Sequence, residues 1–203
     1  MPTEVVHVID DDADVRQSLA FLLTASGFTV RVHESAVTFL TVLPEATEGC
    51  VITDVRMPQM NGLELQRRLG ELKAGLPVIV MTGHGDVPLA VEAMKAGAVD
   101  FIEKPFDDEV LLSAVRAALA RQARASERDA RTLEIQGRLR RLSEREREVL
   151  DRLVAGKANK VIAFELGISP RTVEVYRANV MTKMEADSLS ELVRMALMDN
   201  RTP

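Results

Sequence analysis

Five short runs of apolar and β-branched residues, each followed by an amphipathic stretch, fill the first 120 residues and constrain the fold more than any other feature of this chain. The runs occupy residues 5–9, 29–33, 50–53, 77–81 and 99–102. The stretches between them read as helices: 14–25, stopped by Gly27; a helix capped by Ser35 and ended at Pro44; 61–72; and 87–96, closed by Gly97. A fifth helix starts near Asp107, whose carboxylate suits the positive end of a helix dipole. Strand and helix alternating in this way predict a parallel sheet wrapped in helices, an α/β doubly wound fold. At 203 residues the chain is too long for one ordinary domain and comfortable for two.

In such a sheet all strands end on one edge, so residues just past several strands meet in one crevice. Asp10, Asp11 and Asp12 follow the first run, Asp54 the third, Thr82 the fourth and Lys104 the fifth. Packed carboxylates repel, and the cluster needs a compensating cation. Lys104 supplies one; a divalent metal would supply more. An all-oxygen donor set suits Mg²⁺, or Mn²⁺, with phosphate oxygens and water completing the shell. Asp54 then reads as a nucleophile toward phosphorus, with Thr82 and Lys104 stabilising charge on the equatorial oxygens and an aspartyl phosphate as product. A Thr at one strand end is by itself a turn former, and a Lys before Pro an exposed base; the joint placement carries the reading. Asp12 and Asp14 also suit the head of the first helix. An aspartate-nucleophile phosphatase could use the same acids, so the residues leave an enzyme and a phosphoacceptor both open.

The charge distribution separates two parts. Residues 1–120 hold 18 acids and 9 bases, whereas residues 121–203 hold 13 acids and 17 bases, so a basic segment follows an acidic one. No apolar stretch reaches the length of a membrane span, and Met1 to Val6 lacks the layout of a secretion signal, so the expected location is the cytoplasm with no membrane partner. The single Cys50 sits in a buried run and reads as a core residue.

The last 60 residues read as wholly helical. Ser143 and Glu146 form a capping box ahead of Val149, Leu150, Leu153 and Val154, and Gly156 stops that helix. A short helix over 159–166 ends at Gly167, and Ser169 with Pro170 opens a third to Met184. Val173, Tyr176, Val180 and Met184 share its inner face, leaving Arg171, Glu174, Val175, Arg177 and Ala178 outward. Helix, turn, helix is by itself a weak signal, shared by any small bundle that binds protein or RNA. Residues 121–141 contain no Pro, one Gly and many Arg, Ala and Glu, which predicts that the fifth helix continues into a long connecting helix, with 126–129 the candidate point for a break. Arg138, Arg140 and Arg141 could face DNA, the acidic part of the chain or solvent.

Residues 4–122 resemble the receiver domain of bacterial response regulators through Asp10, Asp11, Asp54 with Met57, Pro58 and Gly62 after it, Thr82, and Lys104 with Pro105. Residues 142–199 resemble the LuxR type of output domain through Leu142 to Glu146, Gly156, Asn159, Lys160, Ile162, Ala163 and Ser169 to Val173. Together they resemble the NarL and FixJ group of response regulators, and the run Gly83, His84, Gly85, Asp86, Val87, Pro88 through Phe106 is most similar to its FixJ branch. One departure is Tyr176, where many relatives carry His.

The resemblance implies a flavodoxin-like five-stranded sheet in the order 2-1-3-4-5, with a receiver over 1–122, a helical linker over 123–141 and a DNA-binding domain over 142–203. It implies that Asp54 accepts phosphate from a sensor histidine kinase of the FixL type, oxygen-responsive in that branch. Mg²⁺ would be held by Asp10, Asp11, Asp54 and the Arg56 carbonyl, Thr82 and Lys104 would sense the phosphate, and Phe101 would turn inward. The Lys104 to Pro105 bond is expected to be cis. Glu174, Val175 and Ala178 are the expected base readers, and Arg171, Thr172, Arg177, Asn179 and Lys183 the expected phosphate holders. A homodimer on promoter double-stranded DNA is implied, at nitrogen-fixation promoters in that branch, with RNA polymerase as a further candidate partner. The chain would then be no turnover enzyme.

Overall fold

A computed structural model describes residues 5–45, 48–83 and 87–199. His84, Gly85 and Asp86 of the motif above, and residues 1–4 read for a secretion signal, lie outside the described residues. The chain divides into two compact units, Met1–Ser126 and Glu127–Pro203.

In the first unit, strands β1 (Val5–Ile9), β2 (Thr29–His33), β3 (Cys50–Asp54), β4 (Val78–Thr82) and β5 (Asp100–Glu103) form one parallel sheet in the order β2-β1-β3-β4-β5. β3 and β4 are buried throughout, as central parallel strands covered on both faces must be. Alternation within each strand sends side chains to opposite faces. Val6, Val8, Cys50, Ile52, Ile79, Met81 and Ile102 pack under α1 (Ala13–Ala25) and the start of α5 (Asp108–Arg140). Ile9, Val51, Val78 and Val80 pack under α2 (Ala36–Val42), α3 (Gly62–Glu71) and α4 (Val87–Lys95). The second helix ends before Pro44 as expected: α2 closes at Val42 with Leu43 as its cap, and a 3-10 turn, Leu43–Glu45, carries the proline. Pro lacks a backbone donor and its ring clashes with the carbonyl four residues back, so the α-helix stops short of it while a single 3-10 turn accommodates it.

The sequence placed its caps well. Asp12 caps α1, accepting from the amides of Asp14 and Val15, while Asp14 lies in the first turn. Asn61 and Glu64 form a capping box on α3. The fifth helix runs unbroken to Arg140, through the 126–129 stretch where a break was the candidate. Ala123, Ala125 and Ala130 with flanking Arg and Glu are strong helix formers, and Ser126 and Asp129 each cost only a few tenths of a kcal/mol, roughly, against them.

In the second unit α6 (Glu144–Val154), α7 (Asn159–Leu166), α8 (Pro170–Met184) and α9 (Leu189–Asp199) share a core with Ile135 and Leu139 of α5. The sequence reading named no α9. Its signal was present: Ser188 Oγ accepts from the Glu191 amide and Glu191 reaches back to the Asp187 amide, a box-like start ahead of Leu192 and Met195. Among the described residues no helix is long and apolar enough to cross a membrane.

His7 and His33 form a pair on β1 and β2 that the sequence did not suggest. Their rings stack at 5.4 Å, His7 Nδ1 lies 3.2 Å from His33 Nε2, and Phe39 packs against both. Burial pushes the His7 pKa down to about 4, with the His33 and Arg31 charges acting in the same direction against a backbone contact at Glu48. The folded chain therefore resists a proton that the unfolded chain accepts near 6.5. Stability is expected to be complete above that value and to decline as the pH falls toward 4. Urea unfolding across this range should show a shallower decline in His7→Phe than in the wild type, and an identical decline would remove His7 from the acid response.

Candidate functional site

The strand order reverses between β1 and β3, and the crevice past the ends of those two strands is where such a sheet collects functional groups. Asp54 is the last residue of β3, in register with Met81, and Thr82 ends β4 in register with Glu103. Asp10 follows β1 directly. All three are buried, Asp10 at 2% exposure and Asp54 at 8%.

Lys104 joins the two acids. Its Nζ donates to Asp10 Oδ2 at 3.0 Å and to Asp54 Oδ1 at 2.7 Å. Its own amide donates to the Thr82 carbonyl, fixing β5 to β4 at the same level, and the Lys104–Pro105 bond is cis. Burial by itself would lower the ammonium pKa, but the hydrogen bonds and charges of Asp54 and Asp10 outweigh it and leave the pKa above its ordinary 10.5. Lys104 is thus a fixed cation at neutral pH.

The remaining carboxylate oxygens are directed by backbone. Asp10 Oδ1 accepts from the Asp12 amide at 2.9 Å, and Asp54 Oδ2 from the Arg56 amide at 2.6 Å. Arg16 donates to the Asp10 carbonyl at 2.7 Å. Gly62 opens α3 so close to β3 that an added Cβ would lie 2.2 Å from the Asp54 carbonyl oxygen. No side chain fits there, and the glycine lets the loop from Val55 to Asn61 fold back over the acid.

Of the residues read from sequence, Asp10, Asp54 and Lys104 form one hydrogen-bonded set, and Thr82 is buried at the end of the adjacent strand. Asp11 is exposed at the rim, and among the described residues no three His, Cys, Asp or Glu side chains converge as a metal cage. The donor chemistry nonetheless suits Mg²⁺: the Asp10 and Asp54 carboxylates are hard oxygen donors, and this ion takes one or two carboxylates with the rest from water and phosphate. Phe101 is half-buried against the α2–α3–α4 side of the sheet, with its amide bonded to Asp100 Oδ1 at 2.8 Å.

In the second unit α8 begins as its sequence predicts, with Ser169 Oγ accepting from the Thr172 amide and Pro170 in the first turn. Val173, Val180 and Met184 are buried and Tyr176 half-buried. Arg171, Glu174, Val175, Ala178 and Asn179 are exposed, and Thr172, Arg177 and Lys183 are half-buried. Val175 keeps 55% of its surface, an apolar side chain open to a partner. Lys183 is engaged within the unit: its Nζ lies 2.6 Å from Glu146 Oε2, which also accepts from the Ser143 amide at 2.7 Å. Lys183 and then Ser143 hold the Glu146 carboxyl below its ordinary range against the opposing effect of burial. This pair was missed because the capping box already accounted for Glu146 in the sequence.

Comparison with known proteins follows the same division. The family described as the response regulator receiver domain matches residues 6–116, and that described as bacterial regulatory proteins, luxR family, matches residues 140–196. The transcriptional regulatory protein FixJ of Azorhizobium caulinodans is 60% identical over 198 residues, covering 98% of this chain and 94% of the relative. FixJ of Rhizobium meliloti is 57% identical over 197 residues, covering 97% of each chain. Among solved structures, the response regulator StyR matches with a TM-score of 0.84 at 40% identity, covering 95% of this chain and 98% of that one.

Removing one charge from the crevice leaves the others uncompensated. Lys104→Met is expected to destabilise the chain by about 2–4 kcal/mol at neutral pH, because two buried carboxylates then share one site. Adding Asp54→Asn should restore much of that loss in a double-mutant cycle read by urea unfolding. Additive effects would show that Lys104 and Asp54 do not interact.

Proposed function

The chain belongs to the response regulators, joining a receiver domain to a LuxR-type DNA-binding domain, and from that premise we propose that Asp54 is the phosphoryl acceptor through which a sensor histidine kinase controls promoter binding. The protein is a transcription regulator of two-component type and not a turnover enzyme. The observation that supports Asp54 is the Lys104 ammonium held by both Asp10 and Asp54, which keeps a nucleophilic oxygen and a fixed cation at one point.

In the proposed reaction an Asp54 carboxylate oxygen bonds to the phosphorus of a phosphohistidine as the bond from phosphorus to the imidazole nitrogen breaks, and the imidazole leaves with its electron pair. Lys104 offers its ammonium, and Thr82 its hydroxyl, to the oxygens on which charge develops. Asp10, Asp11, Asp54 and the Arg56 carbonyl would hold Mg²⁺, which when bound neutralises phosphate charge. Once Asp54 carries phosphate, Lys104 loses its carboxylate partner there and turns to the phosphoryl oxygens. Thr82, at the end of β4, and Phe101, within β5, carry the change to the face of α4 and β5. A sensor kinase of the FixL type is the proposed donor.

We assign the receiver to 1–122, the helical linker to 123–141 and the DNA-binding domain to 142–203. In the last, Glu174, Val175 and Ala178 are proposed to meet base edges, while Arg171, Thr172, Arg177 and Asn179 hold phosphates. Lys183 is assigned to the phosphate set as well, on condition that it leaves Glu146. Receiver dimerisation would join two half-site readers and raise affinity by avidity.

Full-length wild type treated with acetyl phosphate and Mg²⁺ is expected to bind genomic duplex fragments more tightly than untreated protein, and Asp54→Asn is expected to lose that gain. Equal binding by both proteins under both conditions would sink the switch. Arg177→Ala should weaken binding on all duplexes and reduce the slope of log affinity against log salt by about one. Val175→Ala should instead alter preference at particular base positions, and a uniform loss from both changes would overturn the division of roles.

A further inference from the structure

The last turns of α5 and the C-terminal end of α8 meet at one guanidinium. Arg138 Nη1 donates to the Met184 carbonyl at 2.9 Å, and Nη2 lies 2.8 Å from Glu134 Oε1 and 2.9 Å from Glu185 Oε2. The side chain is 16% exposed, whereas the two glutamates keep 61% and 57% of theirs. The arginine is therefore the inner member of the cluster.

Its position answers a specific need. Met184 is the final residue of α8, and Glu185 caps it at φ 52°, a left-handed conformation that costs a non-glycine residue some strain. The last carbonyls of a helix lack intrahelical partners and carry the negative end of its dipole. Arg138 brings both a donor and a positive charge to that end, from a separate helix. Beneath it Ile135 and Leu139 of α5 are buried in the same cluster as Val180 and Met184 of α8. A planar guanidinium with several partners fixes orientation as well as distance, which a mobile ammonium would not. Arg138 also precedes the luxR family match, which begins at residue 140.

We propose that Arg138 is a positioning residue for DNA recognition: it clamps the C-terminus of α8 to α5 and so fixes the orientation in which Glu174, Val175 and Ala178 meet base edges. The proposal rests on α8 being the DNA-reading helix. Arg138 makes no phosphate contact of its own in this role, since its Nη atoms already serve Met184, Glu134 and Glu185. Sequence is read by base-edge contacts, which depend on how α8 is oriented in the groove, whereas phosphate contacts are independent of sequence. Loss of the clamp thus reduces specificity more than it reduces overall affinity.

The test uses the full chain with acetyl phosphate and Mg²⁺, as wild type, Arg138→Ala and Arg138→Lys. Each is titrated over a salt series against poly(dI-dC) and against the genomic duplex fragment that wild type retains most strongly. Circular dichroism melts establish that each variant is folded at the assay temperature. The expected result for Arg138→Ala is about tenfold weaker binding to the selected fragment, the size of one lost base contact, with less than about twofold change on poly(dI-dC) and an unchanged salt slope. Arg138→Lys, which keeps the charge but not the planar fork, should lose part of the same ratio.

Equal losses on both duplexes with a salt slope shallower by about one would make Arg138 a phosphate contact and overturn the clamp. So would equal losses with an unchanged slope, which indicate general support of the fold. If Arg138→Ala is unfolded, Arg138→Lys decides: a folded variant with the wild-type ratio of specific to non-specific affinity overturns the proposal. Wild type that binds neither duplex would overturn instead the DNA-binding assignment on which the clamp rests.

Discussion

Two buried carboxylates, Asp10 and Asp54, can coexist only because the Lys104 ammonium lies within hydrogen-bonding distance of both. Like charges packed together in a partly desolvated crevice repel, and the ammonium between them offsets that repulsion. In the proposed reaction Asp54 is the nucleophile toward phosphorus, and the ammonium is held directly beside it. In the proposed switch the same ammonium is the group whose partners change when Asp54 takes up phosphate. The architecture of the crevice and the proposed switch thus depend on one interaction.

The sheet makes the interaction possible. Residues 10, 54 and 104 are far apart in sequence, and only the parallel strands β1, β3 and β5 bring their ends to one edge. The approach of α3 is equally constrained, because the backbone at Gly62 lies against the Asp54 carbonyl with no room for a side chain. In the second unit the corresponding constraint is at the two ends of α8: Ser169 closes its N-terminus from within the loop, and Arg138 closes its C-terminus from another helix.

Much of this was legible in the sequence for identifiable reasons. β-branched runs separated by amphipathic stretches announced the parallel sheet, and capping residues such as Asn61, Ser143 and Ser169 announced helix starts because their effect is local. Asp10, Asp54, Thr82 and Lys104 stood out since charged or polar residues ended otherwise apolar strands. What escaped was non-local. Nothing in the chain near His7 points to His33, nothing near Lys183 points to Glu146, and Arg138 was one of three arginines open to DNA, acidic surface or solvent until the fold brought Met184 and Glu185 to it. The long course of α5 was legible from a polar stretch of good helix formers, and only the break considered at 126–129 is absent. The fourth helix of the second unit was missed although Ser188 and Glu191 marked its start.

The central claim is that the phosphoryl group resides on Asp54, and chemical trapping tests it most directly. Full-length protein treated with acetyl phosphate and Mg²⁺, then reduced with borohydride, converts an aspartyl phosphate to homoserine, which peptide mass spectrometry locates. The account predicts homoserine at position 54 alone. Homoserine at position 10 or 11, or phosphate retained on a residue that borohydride does not reduce, would contradict it.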